Sequence, residues 1–163
     1  MERARADVAR ELGSVHVLVN NAGVVRRAPV HEMREEDWDA VVGVNLKGTF
    51  LVTRAFLPQM LGEKKGRVVT MGSISSTLGT AGQSAYCAAK WGVVGFTKSL
   101  AEELRGSGLS AMCVMPGSVS TRMLEGSGFA PRMTPEEVAE LVVYAALDAP
   151  AAMNGSAIEM FGP

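Results

Sequence analysis

Residues 67–115 read RVVTMGSISSTLGTAGQSAYCAAKWGVVGFTKSLAEELRGSGLSAMCVM, and this stretch decides the fold class. It opens with an apolar, β-branched run at 67–71, which is typical of a buried strand. A helical segment follows over residues 84–105 and is ended by glycines. A second apolar run occupies residues 109–115. A strand, a helix and a strand in this order predict two parallel strands joined by a right-handed crossover.

The same alternation extends in both directions along the chain. The other predicted elements are a helix over 2–12, a strand over 15–20, a helical stretch from Glu35 through Phe56 that is long enough to be two packed pieces with a break near 43–45, a helix from Pro135, and a strand over 156–160. Thr134 is predicted to be the N-cap of the last helix, in a capping box with Glu137. Strands alternating with helices predict an α/β fold, with a parallel sheet and helices on both of its faces.

Composition suits one globular domain over residues 1–163, since 47% of the residues are hydrophobic and no internal repeat or linker interrupts the chain. The formal net charge is −1, and the basic residues are scattered apart from short pairs such as Arg26-Arg27 and Lys64-Lys65. A nucleic-acid-binding protein needs a clustered basic face. We therefore expect no nucleic-acid partner.

Cysteine and histidine usage argues against disulfides and metals. Cys87 and Cys113 form neither a disulfide framework nor a metal set, and His16 and His31 lack partners at ligand spacing. The charged N-terminus does not read as a signal peptide. No apolar run reaches the roughly 18 residues that a membrane span needs. We therefore expect a cytoplasmic protein with no metal and no membrane partner.

Tyr86 and Lys90 are four residues apart on the predicted helix, and Ser73 precedes Tyr86 by 13 residues. At this spacing the tyrosine and lysine side chains leave the same face of the helix. Moving the pKa of a phenol from ~10 to about 7 needs roughly 4 kcal/mol, which one ammonium about 4 Å away can supply. The pattern predicts that Lys90 lowers the pKa of Tyr86, making the phenol an acid or base, while Ser73 at a strand end orients the reacting oxygen.

Each of these residues also has a structural interpretation. Tyr86 could be a half-buried helix residue beside a lysine whose charged end reaches solvent. Ser73 could cap the turn after its strand. Asn45, in the helical stretch that begins at Glu35, could do no more than interrupt that helix.

Taken together, the motifs resemble those of the short-chain dehydrogenase/reductase family. They appear in the order Asn20-Asn21-Ala22-Gly23, Asn45, Ser73, Tyr86-x-x-x-Lys90 and Pro116-Gly117-x-x-x-Thr121. The stretch from Gly66 to Arg122 is especially similar to the 3-oxoacyl-carrier-protein reductase branch. The resemblance implies the C-terminal portion of a doubly wound Rossmann-type fold, holding the catalytic and substrate-binding part. It also implies an NAD(P)-dependent oxidoreductase that moves hydride between nicotinamide and a small carbonyl or alcohol.

The resemblance also assigns roles to residues. The catalytic set that it implies is Ser73, Tyr86, Lys90 and Asn45, the last of these supporting a water relay. The cofactor-binding set that it implies is Asn20, Ala22, Gly23, Tyr86, Lys90, Pro116, Gly117, Val119 and Thr121. Within that set, residues 20–23 would hold the central strand and line the adenosine side, and residues 116–121 would meet the nicotinamide carboxamide.

One family feature is absent from this sequence. Family members open with a strand and a Gly-x-x-x-Gly-x-Gly turn whose backbone amides hold the cofactor pyrophosphate. Here the strand at 15–20 matches the family's fourth strand, so we expect roughly 60 to 70 residues, with three strands and two helices, to be missing by comparison. We therefore expect an unpaired edge on this strand and weak or no dinucleotide binding by the chain alone. Whether NAD or NADP is preferred cannot be read from the residues present.

Other residues bear on partners and substrate. Gly92 and Gly95 lie inside a predicted helix, where they either admit a second subunit or accommodate a contact within the chain. A homo-oligomer is the expectation. Apolar residues in the loop after residue 116 suggest an apolar portion of the substrate or simply close the domain; they are Met123, Leu124, Phe129 and Met133. The alternative function is a truncated, non-catalytic member that acts in binding, signalling or oligomerisation.

Overall fold

Four runs of apolar and β-branched residues pair side by side in a computed structural model, which describes residues 2–163. The strands are β1 (Val17–Asn20), β2 (Gly66–Met71), β3 (Leu109–Pro116) and β4 (Ala157–Met160). They form one sheet in the order β1-β2-β3-β4, and every pair is parallel. The predicted parallel sheet is confirmed. Only the first strand is clearly shorter than predicted, because it begins at Val17 instead of Val15.

Within residues 2–163, five α-helices connect or flank the strands. They are α1 (Glu2–Leu12), α2 (Glu35–Val42), α3 (Thr49–Glu63), α4 (Ser84–Glu103) and α5 (Pro135–Val143). The predicted break near 43–45 is instead a π-helical turn over Gly43–Gly48, so the chain stays helical from α2 into α3. We call this segment the π turn. The capping box before α5 is confirmed, with the Thr134 hydroxyl accepting from the Glu137 N–H at 3.3 Å.

Helices cover both faces of the sheet, as predicted. Alternate strand residues point to opposite faces, so β1, β2 and β3 each contribute to two cores. One core joins Leu18, Val68 and Ala111 of the strands to Phe56 and Met60 of α3 and to Leu100 and Leu104 at the end of α4. The other core joins Val69, Met112 and Val114 to Val138 of α5 and to Ala145 just after it.

β1 forms one end of the sheet and, within residues 2–163, pairs only with β2. The segment after α5 packs on β2, where the Arg67 guanidinium donates to the Ala145 carbonyl at 3.3 Å. Because this segment packs on β2 and not on β1, Val19 of β1, which points to the same face of the sheet, remains 40% exposed. The expected unpaired edge is thus present in the described part of the chain.

The helical stretch Glu35–Glu63 is long and apolar enough to cross a membrane by length and composition. The sequence prediction missed it because Lys47 and Arg54 interrupt the apolar run. Core helices of soluble proteins pass the same test, and here Phe56 and Met60 pack against the sheet. The length and composition of this stretch are therefore only weak evidence for a membrane span.

Candidate active site

A cleft of about 830 Å³ lies at the carboxyl ends of the strands. The segments that follow β1, β2 and β3 form its walls, and α4 and α5 contribute to its lining. Ligands of open parallel sheets bind outside this end of the strands. The cleft is therefore the candidate active site.

Tyr86 and Lys90 project from α4 into this cleft and meet Ser73, which follows β2. Tyr86 is 9% exposed and Lys90 is 4% exposed. The Lys90 ammonium donates to the Met71 carbonyl at 2.6 Å and lies 5.6 Å from the centre of the Tyr86 ring. Lys90 is therefore buried and held in place, and its charged end does not reach bulk solvent.

The pKa of Tyr86 is raised above its ordinary value of 10.0, chiefly because burial disfavours the charged phenolate. A hydrogen bond with the Ser73 side chain lowers the pKa, but by less; smaller contributions come from Cys87, which raises the pKa, and from Arg27, which lowers it. The prediction that Lys90 lowers the pKa of Tyr86 is wrong for this structure, because the ammonium is directed at the Met71 carbonyl. Burial also lowers the pKa of Lys90 to about 8. At neutral pH the phenol keeps its proton and is placed to donate it.

Ser73 caps the turn after its strand, which is one of the two roles considered from the sequence, and its role toward a reacting oxygen stays a prediction. Its Oγ accepts from the Ser75 N–H at 3.1 Å and so caps the short turn Ile74–Ser76. A hydroxyl that accepts one hydrogen bond still has its own proton to donate. Ser73 can therefore cap this turn and donate to an oxygen in the cleft at the same time.

Asn45 lies in the π turn, 1% exposed, and holds the segment after β1. Its Nδ2 donates to the carbonyls of Val24 and Val41, each at 2.8 Å. Its Oδ1 has no hydrogen-bond partner among residues 2–163. That oxygen faces Gly23, where a Cβ would lie only 2.8 Å away. Asn45 thus fixes the position of Gly23 and does more than interrupt a helix.

The structure brings most of the predicted site residues together. Those that line the cleft are Ala22, Gly23, Ser73, Tyr86, Lys90, Pro116, Gly117, Val119 and Thr121. Asn20 and Asn45, although both are described, lie outside this lining. The Asn20 amide donates to Thr53 Oγ1 at 3.0 Å and ties β1 to α3. For Asn20 the geometry therefore favours the strand-holding role.

Sequence reasoning missed Arg27, which also lines the cleft. The sequence shows Arg27 only as one member of a short basic pair with Arg26. Nothing in its local sequence indicates that it reaches a carbonyl 96 residues further along the chain, and only the fold reveals this contact. Both cysteines are free, and the described residues contain no group of three His, Cys, Asp or Glu side chains that could hold a metal ion.

Comparison with known proteins identifies the family. The model of the family described as short chain dehydrogenase matches residues 1–129. The chain belongs to the short-chain dehydrogenase family. Within it, this short-chain dehydrogenase is 39% identical to the 3-oxoacyl-[acyl-carrier-protein] reductase of Thermotoga maritima, over 95% of this chain and 68% of that protein. It is 37% identical to the D-threitol dehydrogenase of Mycolicibacterium smegmatis, over 98% of this chain and 67% of that protein.

A further relative supports the predicted branch. The 3-oxoacyl-[acyl-carrier-protein] reductase of Synechocystis is 41% identical, over 85% of this chain and 60% of that protein. The chain therefore spans about two thirds of the length of these relatives. Their names are those of reductases and dehydrogenases, so the resemblance is to oxidoreductases of the 3-oxoacyl-carrier-protein reductase type.

Proposed function

We propose that this chain carries the catalytic half of an NAD(P)-dependent oxidoreductase that reduces a carbonyl or oxidises an alcohol, with Tyr86 as the acid or base. The observation that carries the proposal is the meeting of Ser73, Tyr86 and Lys90 in one cleft at the carboxyl end of the sheet. Residues 1–163 would form one Rossmann-type unit. Two free cysteines suit a reduced, cytoplasmic compartment.

The residues of the cleft fit the nicotinamide end of the cofactor. When bound, NAD(P)H supplies the hydride and NAD(P)⁺ accepts it. A lysine ammonium has three donors, and the Met71 carbonyl takes one of those of Lys90, so others can reach ribose hydroxyls. Pro116, Gly117, Val119 and Thr121 line the same cleft and would face the nicotinamide.

The side chains of the cleft suit proton donation to a carbonyl oxygen. The Ser73 hydroxyl donates a hydrogen bond that orients this oxygen. The Tyr86 Oη then gives up its proton as the oxygen gains negative charge, and the raised pKa of Tyr86 keeps that proton available at neutral pH. In alcohol oxidation the same proton returns to Tyr86.

The described residues offer fewer groups that could bind the adenosine half of the cofactor. Asn21 and Ala22, which would lie on that side, are exposed. In the described part of the chain, no glycine-rich turn joins a strand to the start of a helix. Glycine-rich turns of that kind supply the amides that bind pyrophosphate.

We therefore expect calorimetric titration of this chain with NADH or NADPH to give no dissociation constant in the micromolar range. Oxidation of millimolar NADPH or NADH with a 3-oxoacyl thioester should still be measurable above the rate without protein. Micromolar affinity would contradict the expectation for the adenosine half. If turnover is absent at millimolar cofactor, the alternative of a non-catalytic binding or oligomerisation protein replaces the enzyme.

An apolar surface on α4 favours a homo-oligomer. Trp91 is 56% exposed, and the space around Gly95 is open. Gly92 serves a contact within the chain, because a Cβ there would lie 2.8 Å from Leu46 Cδ2. Aromatic residues are enriched at subunit contacts relative to the rest of the surface. We propose that the surface around Trp91 and Gly95 forms the contact between copies.

Light scattering should therefore find a species larger than the monomer, and Trp91→Lys should convert it to monomer. Leu147→Lys is the control, since Leu147 is also exposed but follows α5, which covers the other face of the sheet. A monodisperse wild-type monomer would contradict the proposal. If only the control variant dissociates, the contact between copies would instead lie on the face of the sheet that α5 covers.

A further inference from the structure

The segment after β3 forms a loop that is tied at its base and lies over the cleft. The Ser120 N–H donates to the Met133 carbonyl and the Arg132 N–H to the Ser118 carbonyl, each at 2.9 Å. Residues 120–131 between these ties are called the active-site loop here. Several of its residues line the cleft, among them Met123, Leu124 and Phe129.

Arg27 holds this loop from the opposite side of the cleft. Its guanidinium donates to the Met123 carbonyl at 2.8 Å and to the Glu125 carbonyl at 3.4 Å. Neighbouring carbonyls of the loop are already used, because those of Thr121, Arg122 and Leu124 accept backbone N–H groups within the loop. The two carbonyls that Arg27 contacts, those of Met123 and Glu125, thus alternate along the loop with the carbonyls that are already used. A planar guanidinium can reach both at once, whereas a lysine ammonium is a single point.

The residue held in this way covers the proposed acid. The Tyr86 hydroxyl donates to Met123 Sδ in a weak contact of 3.9 Å. The Met123 methyl group also lies 3.7 Å from the position that a Cβ on Gly23 would take. A carbonyl oxygen that receives the proton of Tyr86 must come within hydrogen-bond distance of the same hydroxyl. Met123 and the substrate oxygen therefore compete for one place.

We propose that Arg27 is a positioning residue that latches the active-site loop with Met123 over Tyr86, so that the substrate carbonyl enters when this latch opens. The role in admitting substrate rests on the proposed function, whereas the latch itself is a contact that can be measured without turnover. Arg26 offers a matched comparison. It pairs with Asp37 at 3.4 Å and with its neighbour's carbonyl, and these contacts do not involve the loop.

The first test is limited trypsin digestion of the full chain and of Arg27→Lys, following by mass spectrometry the cleavage of the bond between Arg122 and Met123. Arg122 lies in the loop and is exposed. Cleavage of a locally opened segment follows the population of the open form. We expect cleavage about tenfold faster in Arg27→Lys, as for the loss of about one hydrogen bond to a charged donor. Arg26→Lys should cleave like the wild type, and equal rates in all three proteins would overturn the latch.

The second test reports on Tyr86 itself. In a Tyr144→Phe background Tyr86 is the only tyrosine, so the ultraviolet absorbance of phenolate follows its titration. Burial is the main cause of its raised pKa, and the groups that face it are Ser73, Cys87, Arg27 and the Lys90 ammonium over its ring. Arg27→Lys keeps the positive charge while freeing the loop, so water reaches the phenol and its pKa should fall.

An unchanged or higher pKa of Tyr86 in Arg27→Lys would overturn the placement of Met123 over the phenol. Met123→Ala should lower the pKa in the same way with Arg27 intact, and a failure to do so would have the same meaning. Neither readout needs cofactor or turnover. If both tests give the expected results but no carbonyl reduction is detected, the latch is supported and the proposed function is contradicted.

Discussion

Tyr86→Phe is expected to lower kcat/KM for carbonyl reduction by about 10²–10⁴-fold, the usual contribution of a positioned general acid. The loss should fall on kcat, because the phenol proton is needed as negative charge develops on the oxygen and not for binding. The measurement is oxidation of NADPH or NADH at millimolar concentration with a 3-oxoacyl thioester. Such concentrations offset the weak binding expected of the adenosine half.

The same substitution should change stability little. The ring packs with Val41, Ala85 and Ala89, and these contacts remain in phenylalanine. The hydroxyl that is removed makes a weak contact of 3.9 Å with Met123 Sδ and a hydrogen bond with the Ser73 side chain, and Ser73 Oγ keeps its bond from the Ser75 N–H. Tyr144→Phe is the control, because Tyr144 lies outside the cleft. Activity retained in Tyr86→Phe, or lost equally in both variants, would remove Tyr86 from the proposed mechanism.

Lys90→Met is expected to flatten the rise of stability with pH that a buried lysine produces. Burial lowers the pKa of Lys90 from 10.5 to about 8. Between these two values the unfolded chain holds a proton at Lys90 that the folded chain has released. The free energy of unfolding therefore rises with pH over this window, by about 3 kcal/mol at 1.36 kcal/mol per pKa unit. Below pH 8 folding buries a charged ammonium, and the free energy of unfolding is lowered by the full amount. Above pH 10.5 Lys90 is neutral in both the folded and the unfolded chain, so this cost is absent.

Urea unfolding of wild type and Lys90→Met at a series of pH values isolates this effect. Cys113, whose pKa burial raises to about 11, and Tyr86 act in the opposite direction, since each loses stability as pH rises. Both groups remain in the variant, so the difference between the two curves reports Lys90 together with its coupling to Cys113, whose pKa the Lys90 ammonium lowers. Lys98→Met on the same helix controls for the loss of a positive charge at an exposed site. Parallel curves for wild type and Lys90→Met would contradict the burial of a charged lysine.

Local sequence patterns predicted the elements and the sheet well, because apolar runs bounded by glycine and proline identify strands and helix ends. The early start predicted for β1 is a small error, since the His16 carbonyl still accepts from the Arg67 N–H at 2.8 Å. The spacing of Ser73, Tyr86 and Lys90 likewise predicted that they share a cleft. Spacing alone could not give the environment of these groups, so the direction of the pKa shift of Tyr86 was wrong.

Contacts between distant segments were beyond the reach of sequence patterns. Arg27 and Met123 are joined only because the loops after β1 and β3 meet over the same end of the sheet. The anchoring of Asn45 to Val24 has the same origin, since it depends on a π turn at a place where the sequence predicted only a break in the helix. The role of Gly92 became clear once Leu46 was found against it.

The π turn also limits how this chain can be redesigned. Each residue of an α-helix turns the chain by about 100°, so deleting one residue from Gly43–Gly48 would rotate α3 by about that angle relative to α2. Phe56 and Met60 would then swing away from the sheet, or Val41 would leave its contact with α4. A shortened or grafted version of this protein should therefore keep the number of residues between Glu35 and Glu63 unchanged.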